Sequence, residues 1–269
     1  MTKRKWSADS ITSVVYPVAF GILLLILWQT GILHKLLHTD EYILPYPSRI
    51  LTIISETKDS IMANVWASMA VIILGLALGS VVGYFIAVGA TIFPKFGKGG
   101  LAVISVFNAI PIVALAPVII NWTKDVSSVA SVRSMVAKII VVMLVCMSSM
   151  SINAHRGLTE LKPFSLDLMK SYAAGRGTIF SQLRFPNSVP YIFTALRVSV
   201  PSSVITALVT EYFAEYRIGV GRQIRENILI AQYATAWSYI VVACIIGISL
   251  FIALLLIERV ALKKYRVGR

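Results

Sequence analysis

The sequence predicts an all-α, polytopic membrane protein with six transmembrane helices. Composition is the first reason: 57% of residues are hydrophobic, 14% are charged, and mean hydropathy is +0.80. A soluble domain of this size cannot hide that much apolar surface from water. The second reason is length, because charge-poor runs near the roughly 20 residues needed to cross hydrocarbon recur along the chain. The third is charge: nearly all of the net +13 falls on one side of those runs.

Taken in order, the first run extends from about Ile11 to Leu33 and the second from about Ile61 to Ala90. The third covers about Leu101 to Trp122, the fourth Val136 to Asn153, the fifth Tyr191 to Thr210 and the sixth Trp237 to Ile257. The first follows Lys3, Arg4 and Lys5 as a secretory signal would, but it is longer than a signal's apolar core and no small-residue cleavage site follows. It is read as a retained span. Cys146 and Cys244 both fall inside runs, where packing as small hydrophobes is expected rather than a disulfide.

An even number of spans puts both termini on one side. That side collects Lys3, Arg4, Lys5, Lys95, Lys98, Arg156, Lys162, Lys170, Arg176, Arg184, Arg197 and the basic tail, against only Asp9, Glu160, Asp167 and Glu258. The other side, where Lys138 is counted, holds basic and acidic residues in near balance. Positive loops stay inside, so both termini and the stretch from His155 to Pro190 are expected in the cytoplasm. Membrane electrostatics then account for the pI of 9.9, and no nucleic-acid partner is needed.

Four features inside the runs carry structural information. Gly75, Gly79 and Gly83 recur every fourth residue, stripping one helix face of side chains and allowing close packing. Pro111 and Pro117 interrupt backbone hydrogen bonding at membrane depth, which is tolerated where protein or a water path covers the break. Ser202, Ser203, Thr206 and Thr210 form a polar stripe toward Glu211. A translocation path is expected along Asn108, Pro111, Ser202, Ser203, Thr206 and Thr210; hydroxyls bonded back to their own helix are the competing reading. Glu211 is costly near the membrane unless paired, and Arg217 or Arg222 is its expected partner at an outer gate. Beyond it, Gly219 to Gln232 reads as a turn and short helix, and Pro47 opens another short helix at Ser48 to Ile54.

The cytoplasmic stretch reads as helix, break, helix. Leu166, Leu168, Met169, Tyr172 and Ala173 recur at helical spacing, Gly175-Arg176-Gly177 interrupts, and Ile179 to Leu183 resumes before Phe185-Pro186-Asn187-Ser188-Val189-Pro190. From Asp167 to Arg197 this resembles the "EAA loop" of permease subunits of binding-protein-dependent ABC importers. Asp167-Leu168-Met169 stands at the acidic-Ala-Ala position, Ala173 at the glycine, Phe185-Pro186 at Leu-Pro and Pro190 at the second proline. Leu44-Pro45-Tyr46-Pro47-Ser48 and Asn108-Ala109-Ile110-Pro111 resemble the branch that carries sulfonates, taurine, nitrate, riboflavin or pyrimidine precursors.

The resemblance implies the type I importer permease fold over a single membrane domain, 1–269, in a bacterial-type inner membrane. It implies a second permease subunit, a homodimer by expectation, two ATP-binding subunits below and an extracytoplasmic substrate-binding protein above. Asp167, Leu168, Met169, Tyr172, Ala173, Ala174, Gly175 and Arg176 are then the ATPase-coupling residues, with Tyr172 as apolar anchor. ATP and Mg are expected on the partner ATPase subunits and no cofactor on this chain.

No catalytic centre is legible. His34 and His38 lack a third ligand, so no metal site is expected, and no Gly-rich phosphate loop precedes Lys-Ser or Lys-Thr. The competing function, an ion-gradient-driven secondary transporter or channel, calls for ionisable groups at mid-membrane, and the runs hold almost none away from their ends.

Overall fold

A computed structural model describes residues 8–106, 110–214 and 216–263. Every regular element among them is helical. Twelve helices follow in chain order: α1 (Ala8–Gln29), α2 (Ile32–Leu37), α3 (Pro47–Glu56), α4 (Lys58–Ile92), α5 (Pro94–Val106), α6 (Ile112–Trp122), α7 (Ala130–Thr159), α8 (Ser165–Ser171), α9 (Arg176–Ile179), α10 (Phe185–Phe213), α11 (Val220–Leu229) and α12 (Tyr233–Ala261). A π-helical turn, Phe180–Arg184, joins α9 to α10. Helix therefore continues unbroken from Arg176 to Phe213.

Four helices are long and apolar enough to cross a membrane: α4, α7, the Arg176–Phe213 helix and α12. In α1, Val15–Gln29 forms a shorter apolar helix. The expected third span is two pieces, α5 and α6, because Pro111 stands at the N-cap of α6 in extended conformation and lacks an amide to continue a helix. Pro117, by contrast, lies within α6. Exposed apolar side chains cover the outside of the bundle, among them Phe85, Ile248, Leu256 and Val260. An apolar surface that large belongs in lipid, so the protein is a multi-pass membrane protein.

The stretch expected in the cytoplasm is shorter than the sequence suggests. α7 runs on to Thr159, and the prolines at 186 and 190 sit within α10 rather than before it. Pro186 follows directly on the π turn, where the backbone hydrogen-bonding register already changes. Only residues 160–175 lie outside the two long helices, and they carry α8. The break falls at Tyr172 to Gly175, so Arg176 and Gly177 are already helical.

The centre of the bundle is the α4–α7 seam. A β-carbon on Gly75 would lie 2.6 Å from Val142 Cβ, one on Gly79 2.5 Å from Met143 O, and one on Gly83 2.5 Å from Met147 O. Three successive turns of α4 thus lie with backbone against α7. Around the seam pack Val71, Ile72, Val142, Cys146, Val204, Ala207, Tyr239 and Ile246. Cys146 is a buried free thiol there and Cys244 an exposed one. α1 joins through its end: Trp28 meets Trp237 edge-on, and Gln29 Nε2 donates to Ser48 Oγ at 3.1 Å.

Because the Gly79 face meets a main-chain oxygen that cannot move aside, Gly79→Ala is expected to lower stability by about 1–3 kcal/mol. Gly89, on the same helix with open space where a β-carbon would go, is the control. Gly89→Ala should be neutral or stabilising by up to about 1 kcal/mol through helix propensity. Thermal unfolding of the two variants in detergent checks the contrast.

Candidate functional site: a buried clamp and a projecting helix

At one end of the bundle, the turn before α11 is held by side chains from three long helices. Gly219 N donates to Asn64 Oδ1 at 2.9 Å, Val220 N to Ser68 Oγ at 2.9 Å and Gly221 N to Glu211 Oε2 at 2.8 Å. Ser68 Oγ in turn lies 2.8 and 2.9 Å from the two Glu211 oxygens. Lys138 Nζ donates to Ile218 O at 3.2 Å. Four consecutive residues of the turn are thereby fixed, by α4, α7 and α10. Glu211 is fully buried and closes the first turn of α11, where free amides and the helix dipole favour a carboxylate. Gly219 adopts φ +129°, and a β-carbon there would fall 2.5 Å from the Glu211 carboxyl carbon, so the turn requires glycine.

This arrangement corrects one sequence expectation. Glu211 does not pair with Arg217 or Arg222: Arg222 binds Glu226 and donates to Ala214 O at 2.8 Å, while Ser68 and the Gly221 amide occupy the carboxylate. Lys138, counted with the side opposite the termini, lies within α7, 4% exposed, its ammonium directed to the turn. Asn64 and Ser68 were not anticipated at all; they sit one turn apart on α4, among residues that read only as apolar span.

The expected path residues are also placed differently. Ser203, Thr206 and Thr210 are fully buried within the chain. Their hydroxyls donate to Val200 O, Ser202 O and Thr206 O, and Ser202 Oγ to Val198 O, all on their own helix. Ser203, Thr206 and Thr210 therefore do not line an open path in this conformation, and all four hydroxyls are satisfied by carbonyls of α10 itself. Pro111 is exposed at the α5–α6 break, and Asn108 lies outside the described residues.

Beside the clamp, a groove of about 760 Å³ is bordered by Glu41, Tyr42, Tyr46, Arg49, Gln232 and Tyr233. A hydrogen bond to Glu41 raises the Tyr46 phenol above its ordinary pKa.

At the opposite end, α8 projects away from the bundle, and among the described residues no extensive helix–helix packing involves it. Phe164, Leu168 and Tyr172, four residues apart, form an apolar ridge 83%, 57% and 78% exposed. Asp167 and Lys170 flank it, 3.9 Å apart in solvent. Left-handed residues bound the helix at both ends, Phe164 at φ 62° and Ala173 at φ 52°. At the second, Ala173 N donates to Lys170 O at 2.9 Å and Ala174 N to Met169 O at 3.0 Å, the paired bonds of a Schellman cap. A glycine is favoured there, which gives the position where the family pattern has one its physical reason. Gly175 and Arg176 follow, both exposed.

A helical bundle with an exposed apolar surface and one short helix projecting from it defines a multi-pass membrane protein. The sequence profile of binding-protein-dependent transport system inner membrane components matches residues 79–266. The chain belongs to that family. It is similar to the formylaminopyrimidine transport permease protein ThiX of Halalkalibacterium halodurans, 24% identical over 247 residues, 91% of this chain and 94% of that one. A probable ABC transporter permease protein of Haemophilus influenzae is 24% identical over 196 residues, 73% of this chain and 76% of that one. In fold it resembles a chain of the inward-facing MetNI methionine ABC transporter, with TM-score 0.66 and 16% identity over 76% of this chain and 97% of that one. A chain of an amino acid ABC transporter gives TM-score 0.57 and 15% identity over 78% and 97%.

Two measurements follow. Ser68→Ala removes the acceptor of Val220 N and a donor to Glu211 in a buried site, so stability should fall by about 1–3 kcal/mol, with faster hydrogen exchange at Val220. Ala173→Gly relieves a left-handed alanine at a cost of about 1 kcal/mol and should slow exchange across 165–172, whereas Ala173→Val should accelerate it.

Proposed function

We propose that the chain is the pore-forming permease subunit of an ATP-driven importer, working as a pair of copies with two ATP-binding subunits against α8 and an extracytoplasmic binding protein at the opposite end. The observation that carries this is the ridge of Phe164, Leu168 and Tyr172: three large exposed apolar side chains on α8 and its caps, with no extensive packing against other helices among the described residues. Such a ridge is stable in a cell when a partner's groove covers it. Asp167, Met169, Ala173, Ala174, Gly175 and Arg176 border the ridge and complete the contact. ATP and Mg bind the partner subunits; this chain binds no cofactor, holds no metal and catalyses nothing itself.

On this reading the protein sits in the inner membrane as a single domain over 1–269, six times across, with α5 and α6 together serving as one crossing and both termini in the cytoplasm. The clamp and the groove at Tyr42, Tyr46 and Tyr233 then face outward, toward the binding protein. The likeness to a formylaminopyrimidine permease over nearly the full length of both chains favours a pyrimidine-type small solute above a sulfonate, nitrate or riboflavin.

Tyr172→Asp in the assembled complex should cut co-purification of the ATPase subunits at least tenfold, and undiminished recovery would overturn the α8 contact. Uptake of labelled formylaminopyrimidine by cells expressing the whole transporter tests the cargo; absence of uptake removes the pyrimidine assignment and leaves the α8 contact standing.

A further inference from the structure

Where α7 ends, its last carbonyls have no intrahelical partner, as at any helix end. Here side chains from the returning helix occupy them. Arg184 Nη1 donates to Leu158 O at 2.7 Å, and Asn187 Nδ2 donates to Gly157 O at 2.7 Å and to Glu160 O at 3.0 Å. Tyr191 OH reaches Glu160 Oε2 at 3.4 Å. The two backbones nearly touch, since a β-carbon on Gly157 would lie 2.7 Å from Ser188 Cα. α4 is tied to the same point: Tyr84 OH and Ser188 Oγ are 3.2 Å apart, and Thr91 Oγ1 and His155 Nδ1 also 3.2 Å. The π-helical turn Phe180–Arg184 ends on Arg184, and single π turns recur at functional positions.

The chain between Glu160 and Arg176 leaves the bundle and returns at one knot, and α8 hangs from it. A push on α8 reaches the long helices only through the chain's two ends, and both ends are pinned together there. We propose that Arg184 and Asn187 are the joint that converts movement of α8 into movement of α7 and α10 as one body. They are positioning residues: neither belongs to the exposed ridge, and without them α8 pivots on its own connections while the spans stay still. The proposal rests on α8 being the ATPase contact.

The test uses the whole transporter in nanodiscs with Cys244→Ser, so that a nitroxide on Leu229→Cys, 64% exposed at the far end of the bundle, is the one accessible label on each permease copy. In this background the distance between the two labels should change on adding ATP and vanadate. Asn187→Asp, which keeps shape but presents no donor to the carbonyls, and Arg184→Ala should each at least halve that change while retaining the ATPase subunits and basal ATP hydrolysis. Arg184→Lys, which keeps a donor, should restore most of it. An undiminished distance change in Asn187→Asp and Arg184→Ala overturns the joint. So does loss of the ATPase subunits from these variants in parallel with the change, since the residues would then serve docking or folding. Failure of the α8 contact itself is read separately, from ATPase subunits staying bound to Tyr172→Asp.

Discussion

Hydrogen-bonding groups at helix ends must find partners inside a protein when lipid surrounds it, and this bundle satisfies its ends with side chains borrowed from neighbouring spans. At one end the free amides of Gly219, Val220 and Gly221 go to Asn64, Ser68 and Glu211. At the other the free carbonyls of Gly157, Leu158 and Glu160 go to Asn187 and Arg184. Acceptors meet amides above and donors meet carbonyls below. Each set links helices far apart in sequence, so end satisfaction and interhelical locking are one interaction.

The glycine face of α4 bears on the first set. With Gly75, Gly79 and Gly83 against α7, α4 lies close in to the bundle, where short side chains such as Ser68 and Asn64 reach Glu211 and the α11 turn. A bulkier seam would push α4 outward and take those acceptors away from the α11 turn. Packing at the centre therefore sets the polar geometry at the α11 end. At the α8 end the close crossing of Gly157 over Ser188 does the corresponding work. The bidentate pair of Arg197 with Glu258, at 2.8 and 2.7 Å, ties α12 to α10.

Much of the architecture was legible because it is written locally. Hydropathy marks α4, α7, α10 and α12; Pro111 marks the break before α6; and the apolar spacing around Leu168 and Tyr172 marks α8. The family resemblance added the meaning of α8 and the glycine position at Ala173. What escaped is non-local. Glu211 was singled out as costly, but its partners include Ser68, 143 positions away, and an arginine nearby looked the better match. Lys138 was placed by charge on one side of the membrane, but its partner, the Ile218 carbonyl 80 positions away, was not readable. The hydroxyl stripe of α10 has the periodicity of a lining surface, and periodicity does not say whether that face meets water or another helix.

The bonds between α7 and α10 near Glu160 bear on how α8 is held. A seven-residue helix on flexible connections would absorb any displacement by swinging. α8 is denied that freedom near its roots: its exit from α7 and its return into α10 are bonded to each other within a few residues of the membrane helices. The left-handed caps at Phe164 and Ala173 fix its orientation between those roots. Backbone strain of this kind persists only where surrounding structure holds it, and here it fixes an apolar ridge in one direction, away from the bundle. Stiffness at the joint and exposure at the tip are complementary: a tip packed against its own chain has nothing left to offer a partner, and a loose joint has nothing to transmit.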